Sequence, residues 1–175
     1  PTLGFDEIGW ILDNADPRGV LTDPDLAEGL PAESMKNIQH VLLTGETAPG
    51  IFANETPVDA ELFRMPKGFT NRMVPHETPL FLLYTSGSTG PPKGVIHAHQ
   101  DMVGHLMTAR YVLDLDEDTV LWTDGDPAWV TGTVYGAFAP WLCGSTSVVQ
   151  GDSFSASTWY RTLEKHQVNV WYTTP

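Results

Sequence analysis

Short apolar runs alternate with helical patterns along the second half of this 175-residue chain, and that order restricts its fold more than any other feature. Residues 80–84 are continuously apolar and end at a turn signal, which predicts a buried strand. Residues 98–113 carry apolar side chains at helical spacing, which predicts a helix with one buried face. Because strands that alternate with helices pack as a sheet covered by helices, the sequence predicts an α/β fold, a layered and mainly parallel sheet with flanking helices.

The leading part of the chain, residues 1–79, is less regular than residues 80–175. In the leading part we predict a helix at 6–14, strands at 19–22 and 38–43, and a long connection at 44–79 with one short helix at 58–64. After residue 80 we predict further strands at 94–97, 120–123, 147–150 and 168–173, and further helices at 131–143 and 155–167. No helix follows the last predicted strand, which favours a chain cut within a domain.

A segment rich in glycine and hydroxyl side chains, TSGSTGPPKG at residues 85–94, follows the first buried strand. Its glycines let the backbone turn tightly, and its hydroxyls, its lysine and successive backbone N–H groups can bind phosphate oxygens. The candidate phosphate-binding residues are Thr85, Ser86, Gly87, Ser88, Thr89, Gly90 and Lys93. The spacing differs from the common nucleotide-binding loop, because the lysine comes three residues after Gly90 and is followed by Gly94. From composition alone, a flexible surface turn remains an equal alternative.

The acidic composition disfavours several function classes. The net charge of −13, from 22 acidic and 9 basic residues, argues against binding to nucleic acid or to an anionic membrane surface. The sequence contains no apolar run of about 18 residues and no charged-then-apolar leader, so we predict no membrane span and a cytoplasmic location. The single cysteine, Cys143, lies in an apolar stretch and is interpreted as a buried thiol.

Two clusters of potential metal ligands are interpreted as surface features. His97, His99 and His105 fall near a predicted strand-to-helix turn, but no carboxylate or thiolate cluster joins them nearby in sequence. The acidic residues between 114 and 118 lack the spacing of a calcium-binding loop and are interpreted as a solvated turn. The sequence therefore predicts no metal site within this chain.

Two motifs resemble those of a known enzyme family. YTSGSTGPPKG at residues 84–94 resembles the phosphate loop of the adenylate-forming superfamily, although Pro91 stands where many members have a lysine. WTDGDPAWVTG at residues 122–132 and the ending EKHQVNVWYTTP resemble the AMP-forming acetyl-CoA synthetases, with Ala128 in place of a frequent glycine. The resemblance is good over residues 80–175 and weaker before them.

The resemblance implies an incomplete portion of the adenylate-forming N-terminal domain, with the C-terminal domain absent. It implies a two-step reaction in which acetate and ATP give acetyl-AMP and pyrophosphate, and coenzyme A then takes the acetyl group with Mg²⁺ as cofactor. Lys93 would be the catalytic residue and would act on the β- and γ-phosphates with the other residues of the loop. Trp129, Val130 and Thr131 would line the acyl pocket, with Thr131 also on the coenzyme A side, and their bulk would reject longer acids.

The resemblance also leaves alternatives open. The adenine-binding segment, the magnesium-binding glutamate and the ribose-binding aspartate of the family have no match in these residues, so the isolated polypeptide is expected to be inactive. A synthetase for propionate or another short acid, and a non-catalytic nucleotide-binding fragment, remain alternatives. A phosphate-loop hydrolase is disfavoured by the loop spacing. The sequence indicates no oligomeric state.

Overall fold

The structure is a computed structural model that describes residues 3–45, 50–85, 90–151 and 154–173. These residues form two compact units, residues 3–73 with 90–92 and residues 74–85 with 93–173. Within the described ranges, no helix combines the length and the apolar composition that crossing a membrane requires.

The first unit is built around a small parallel sheet. It contains helices α1 (Phe5–Ala15), α2 (Pro24–Ala27) and α3 (Val58–Leu62) and strands β1 (Gly19–Thr22), β2 (His40–Leu43) and β3 (Glu55–Pro57). The strands are parallel in the order β1–β2–β3. The central strand carries Val41 and Leu43 into the core, where they pack with Ala27, Met35 and Ile38.

The elements predicted at 6–14, 19–22, 38–43 and 58–64 are confirmed, with ends that move by one or two residues. The prediction of only one short helix within 44–79 was wrong, because β3 also lies there. This strand has three residues and ends at Pro57, and it forms only through its pairing with β2. A proline and so short a run leave no strand pattern for sequence reasoning to detect.

The second unit combines an antiparallel hairpin with a second parallel sheet. Its elements are strands β4 (Pro79–Thr85) and β5 (Lys93–Ala98), helix α4 (Asp101–Tyr111), strand β6 (Val120–Thr123), a π-helix (Thr131–Phe138), helix α5 (Ala139–Cys143), strand β7 (Thr146–Val148), helix α6 (Ala156–His166) and strand β8 (Val170–Tyr172). Strands β4 and β5 pair antiparallel, and the other three are parallel in the order β7–β6–β8. The predicted α/β fold with a mainly parallel sheet is therefore confirmed, with the β4–β5 hairpin as an antiparallel addition.

The core of the second unit lies along its central strand β6. Leu121 packs with Ala109, Ala139 and Cys143, and the Cys143 side chain is only 2% exposed, so the predicted buried thiol is confirmed. On the other side of β6, the buried Trp122 ring stacks on Trp171 with 5.6 Å between centroids. Edge-on contact between Trp122 and Trp159 at 5.2 Å joins α6 to the same aromatic group.

Candidate functional site

The β4–β5 hairpin presents the two ends of the glycine-rich segment side by side. Thr85, the last residue of β4, pairs with Lys93, the first residue of β5, and the Thr85 hydroxyl donates to the Lys93 carbonyl at 3.4 Å. The connection between the strands therefore spans residues 86–92. Ser86, Gly87, Ser88 and Thr89 lie outside the described residues. Gly90 is exposed, and a Cβ atom placed on it would meet open space.

Lys93 is the candidate phosphate-binding cation of the hairpin. Its side chain is exposed, and no carboxylate of a described residue lies within 4.0 Å of its ammonium group. The next residue, Gly94, lies against the hairpin partner, because a Cβ atom there would be 3.0 Å from Leu82 and 3.3 Å from the Tyr84 ring. The lysine therefore precedes a closely packed backbone position, while its own side chain is exposed and can meet an anion.

The predicted acyl-pocket residues lie together on one turn. Trp129 and Val130 precede the π-helix, and Thr131 is its first residue. The Trp129 side chain is 48% exposed and that of Val130 is 42% exposed, whereas Thr131 is half-buried. The Trp129 N–H donates to the Asp126 carbonyl at 2.8 Å, and the Trp129 carbonyl accepts the Thr133 N–H at 2.9 Å. The turn thus fixes the backbone of this group while its larger side chains face outward.

A π-helix of eight residues follows the turn, where the sequence predicts an ordinary helix from 131 to 143. The prediction of a helix is confirmed, and the structure adds that Thr131–Phe138 is a π-helix and Ala139–Cys143 an α-helix. Gly136 faces the preceding strand, since a Cβ atom there would lie 2.9 Å from the Thr123 side chain, whereas Gly132 faces the backbone of Gly125 and Asp126 in the turn. π-Helices are rare and frequently mark functional sites. The two glycines four residues apart were the available sequence signal.

Three stacked rings connect the hairpin to the π-helix within the second unit. The Phe81 ring, on β4, stacks on His97 of β5 at 4.6 Å between centroids and on Phe138 at 5.1 Å. Phe138 is the last residue of the π-helix, which starts at Thr131. The structure therefore joins the element that carries Thr85 and Lys93 to the helix that carries the acyl-pocket candidates.

The sequence profile of the family described as AMP-binding enzyme matches residues 1–175. The chain belongs to this family. Among its relatives, the acetyl-coenzyme A synthetase of Bacillus subtilis (strain 168) is 41% identical over 167 residues, which are 94% of this chain and 28% of that protein. The acetyl-coenzyme A synthetase of Ralstonia nicotianae is 36% identical over 155 residues, 85% of this chain and 24% of that protein. The chain thus spans about a quarter of the length of these relatives.

Two solved structures share the fold of this AMP-binding enzyme segment. An anthranilate CoA ligase in complex with anthranoyl-AMP matches with a TM-score of 0.85 and 22% identity, over 98% of this chain and 33% of that one. An acyl-CoA synthetase of Brucella canis matches with a TM-score of 0.87 and 20% identity, over 99% of this chain and 31% of that one. At these identities the likeness shows the fold alone.

An aromatic cavity of about 580 Å³ lies beside the turn of this AMP-binding enzyme segment, and sequence reasoning did not predict it. Its wall includes five aromatic side chains, those of Trp122, Phe138, Trp141, Phe154 and Trp159. The wall also includes residues of the turn and of the start of the π-helix, namely Gly125, Pro127, Gly132 and Thr133. The acyl-pocket candidates Trp129, Val130 and Thr131 are not among the lining residues. The cluster of aromatic residues was visible in the sequence, but only the parallel pairing of β6 with β7 and β8 brings it together.

Two histidines near the ring stack occupy a partly buried position. His97 Nδ1 is 3.9 Å from the Asp101 carboxylate, and the His105 ring centroid is 6.1 Å from that of His97. Burial, followed by the nearby His97, lowers the pKa of His105, while Asp101 acts in the opposite direction. In the part of the chain that the structure describes, no three histidine, cysteine or acidic side chains converge as a metal site.

Proposed function

We propose that this chain is part of an AMP-forming acetate–CoA ligase. The observation that carries the proposal is the 41% identity to the Bacillus subtilis acetyl-coenzyme A synthetase over 94% of the chain. The exposed hairpin lysine and the outward-facing Trp129–Thr131 turn support it, because both are compatible with binding of a phosphate group and a small acid. Acetate, ATP and coenzyme A would be the substrates, and the cytoplasm, which supplies all three, would be the location.

The first half-reaction joins two anions. An acetate oxygen attacks the α-phosphorus of ATP, the new O–P bond forms, and the bond to pyrophosphate breaks. In the proposal, Lys93 and the hydroxyl of Thr85 bind the β- and γ-phosphates, together with Ser86, Gly87, Ser88, Thr89 and Gly90. Charge that develops on the leaving pyrophosphate is offset by the ammonium group and by backbone N–H groups.

In the described residues, no three histidine, cysteine or acidic side chains lie close together. Magnesium in such reactions is commonly bound through the phosphates with only one or two carboxylates. The Mg²⁺ that accompanies ATP would therefore arrive with the nucleotide, and the role of this chain is to bind the phosphates around it.

The second half-reaction transfers the acetyl group to a thiol. The sulfur of coenzyme A attacks the acyl carbon, a C–S bond forms, and AMP leaves with the electrons of the C–O bond. In the proposal, Trp129 and Val130 limit the length of the acyl group, and Thr131 lies on the side from which coenzyme A enters. A pocket limit of this kind discriminates by about 10- to 200-fold for one methylene group.

Substitution of Lys93 in the complete synthetase tests the phosphate-binding role. We expect Lys93→Ala to slow acetate-dependent pyrophosphate release by about a hundredfold, since loss of one stabilising contact to developing charge has that scale. Lys67→Ala is the matched control, because Lys67 is exposed and lies outside helices and strands. Equal rates in the two variants would remove Lys93 from the mechanism.

A panel of acids separates the proposed function from its alternatives. The complete synthetase is assayed for ATP–pyrophosphate exchange with acetate, propionate and butyrate and without acid. Highest kcat/KM with acetate supports the proposal, and highest kcat/KM with propionate assigns the protein to that acid instead. ATP hydrolysis without any carboxylate would indicate a hydrolase.

A further inference from the structure

The turn before the π-helix is stabilised by Asp126, which accepts hydrogen bonds through both its side-chain carboxylate and its main-chain carbonyl. One carboxylate oxygen of Asp126 accepts the Ala128 N–H at 2.8 Å. The main-chain carbonyl of the same residue accepts the Trp129 N–H, also at 2.8 Å. One aspartate therefore fixes the two peptide N–H groups that immediately precede the Val130 position.

The π-helix closes the turn by direct backbone contact. A Cβ atom on Gly132 would lie 2.2 Å from the Asp126 carbonyl oxygen and 2.4 Å from that of Gly125. Thr133 adds two bonds, because its N–H donates to the Trp129 carbonyl at 2.9 Å and its hydroxyl donates to the Pro127 carbonyl. Because Gly132 has no side chain to separate the two backbones, the turn has little freedom to shift relative to the helix at this point.

The side chains on the turn receive little support from packing. Trp129 and Val130 are nearly half exposed, and no ring of another described residue stacks on the Trp129 indole. Their directions therefore depend strongly on the backbone, because a side chain that is packed on only part of its surface is oriented largely by its Cα–Cβ bond and rotamer. The backbone at this point is fixed by the bonds to Asp126.

We infer that Asp126 is a positioning residue for the acid substrate. By fixing the backbone that carries Trp129 and Val130, it sets how far these side chains reach into the acyl pocket and so the longest acyl group that the enzyme accepts. The inference rests on the proposed function, because it assigns the acyl pocket to this turn. Asp126 itself contacts no substrate. It acts through the Ala128 N–H, and an amide oxygen at the same position can accept that bond equally.

The test measures chain-length selection in the complete synthetase. We expect Asp126→Ala to reduce the ratio of kcat/KM for acetate to that for propionate by about tenfold. This loss is part of the discrimination, about 10- to 200-fold, that a pocket can achieve against one additional methylene group. KM for acetate rises, whereas KM for ATP changes by less than about twofold, which is within the context-dependent spread expected for a remote site. Asp126→Asn should restore the acetate-to-propionate ratio, since its side-chain oxygen accepts the same N–H.

Asp116→Ala is the matched control, because Asp116 makes the same kind of bond elsewhere in the unit. One Asp116 carboxylate oxygen accepts the Asp118 N–H at 3.0 Å and the Thr119 hydroxyl at 2.8 Å. This variant loses stability without altering the turn that holds Trp129. An unchanged acid ratio in Asp116→Ala together with a reduced ratio in Asp126→Ala separates positioning from general destabilisation.

The outcomes distinguish the inference from the proposed function. If the unmodified enzyme activates neither acetate nor propionate, the proposed function fails. If it prefers acetate and Asp126→Ala retains the full preference, only the positioning role is overturned. Should Asp126→Ala not fold, Asp126→Ser weakens the same bond, because a hydroxyl accepts a nearby backbone N–H more weakly than a carboxylate does. An acid ratio equal to that of the parent enzyme in this variant overturns the inference.

Discussion

At the scale of single residues, Gly132 is the position where the π-helix leaves least room. The atoms that a Cβ would meet are backbone carbonyls, which cannot rotate away as a flexible side chain does. We expect Gly132→Ala to lower the free energy of unfolding by about 3 kcal/mol, the upper part of the range for overpacking. Thermal unfolding of the variant and the parent protein measures the difference.

Replacement of Gly104 by alanine should have the opposite effect on stability to that of Gly132→Ala. It lies in the interior of α4, and a Cβ atom there would meet nothing within 4 Å. Gly104→Ala should therefore raise stability by about 0.5–1 kcal/mol through helix propensity alone. Equal effects of the two substitutions would contradict the close backbone contact at Gly132.

The lowered pKa of His105 makes the free energy of unfolding depend on pH. Burial and His97 lower the pKa of His105 in the folded state, so the unfolded chain takes up a proton at a higher pH than the folded chain does. This contribution to stability is complete above about pH 6.5, the usual histidine value, and declines as the pH falls through that value. His105→Gln should reduce the loss of thermal stability between pH 7.5 and 5.5.

The exposed His99 serves as the comparison for the pH experiment. His99→Gln changes a histidine of the same segment whose side chain faces solvent. If both variants show the same dependence on pH as the parent, His105 is not the group responsible. The titratable groups near His105 are His97 and Asp101, which have opposite effects on its pKa: His97 lowers it and Asp101 raises it.

At the scale of elements, the stack of His97, Phe81 and Phe138 connects the β4–β5 hairpin to the π-helix. Phe81→Leu removes the central ring and both contacts. We expect a loss of about 1–3 kcal/mol in stability, since each aromatic pair contributes about 0.5–1.5 kcal/mol. In the proposed enzyme, KM should rise for both ATP and acetate, because the two binding elements share this support.

Phe63→Leu is the control for the ring stack. The Phe63 side chain is 90% exposed, so its replacement removes little buried surface. Unaltered stability and KM values are expected for this variant. A change in KM for only one substrate in Phe81→Leu would contradict the role of the stack as a common support.

The elements also show what sequence patterns can predict. Periodicity located α4, β6, α6 and β8 to within a few residues, because local spacing decides which face of each element is apolar. The π-type of the helix was not predicted, because the pattern of residues 131–143 indicates a helix without specifying its hydrogen-bond spacing. The same holds for the pairing of β4 with β5, since an apolar run does not specify the direction of its partner.

For the candidate site, sequence reasoning identified Thr85 and Lys93 as neighbours in a loop, and the structure shows them paired across a hairpin. The Trp129–Thr131 motif was also identified, but its assignment to an acyl pocket stays a prediction. The role of Asp126 gave no signal in the sequence, because an exposed aspartate in a turn is common. Its two hydrogen bonds to the N–H groups of Ala128 and Trp129 show the role, because they lie on the turn that carries the acyl-pocket candidates.

At the scale of the whole molecule, the two units differ in what they contribute to the proposed reaction. The first unit is a small parallel sheet with its own apolar core around Val41 and Leu43. The second contains Lys93, the Trp129–Thr131 turn and the aromatic cavity. The side chains whose described geometry bears on the chemistry therefore belong to one packed body, with strand β6 at its centre.

The burial of Cys143 has a consequence for an enzyme that would produce an acyl adenylate. Such a mixed anhydride acylates thiols readily, and the second substrate of the proposed reaction is itself a thiol. The only sulfhydryl of this chain is enclosed behind Leu121 and Ala139, out of reach of a reactive intermediate. Within these 175 residues, acylation of a cysteine would therefore not compete with transfer to coenzyme A.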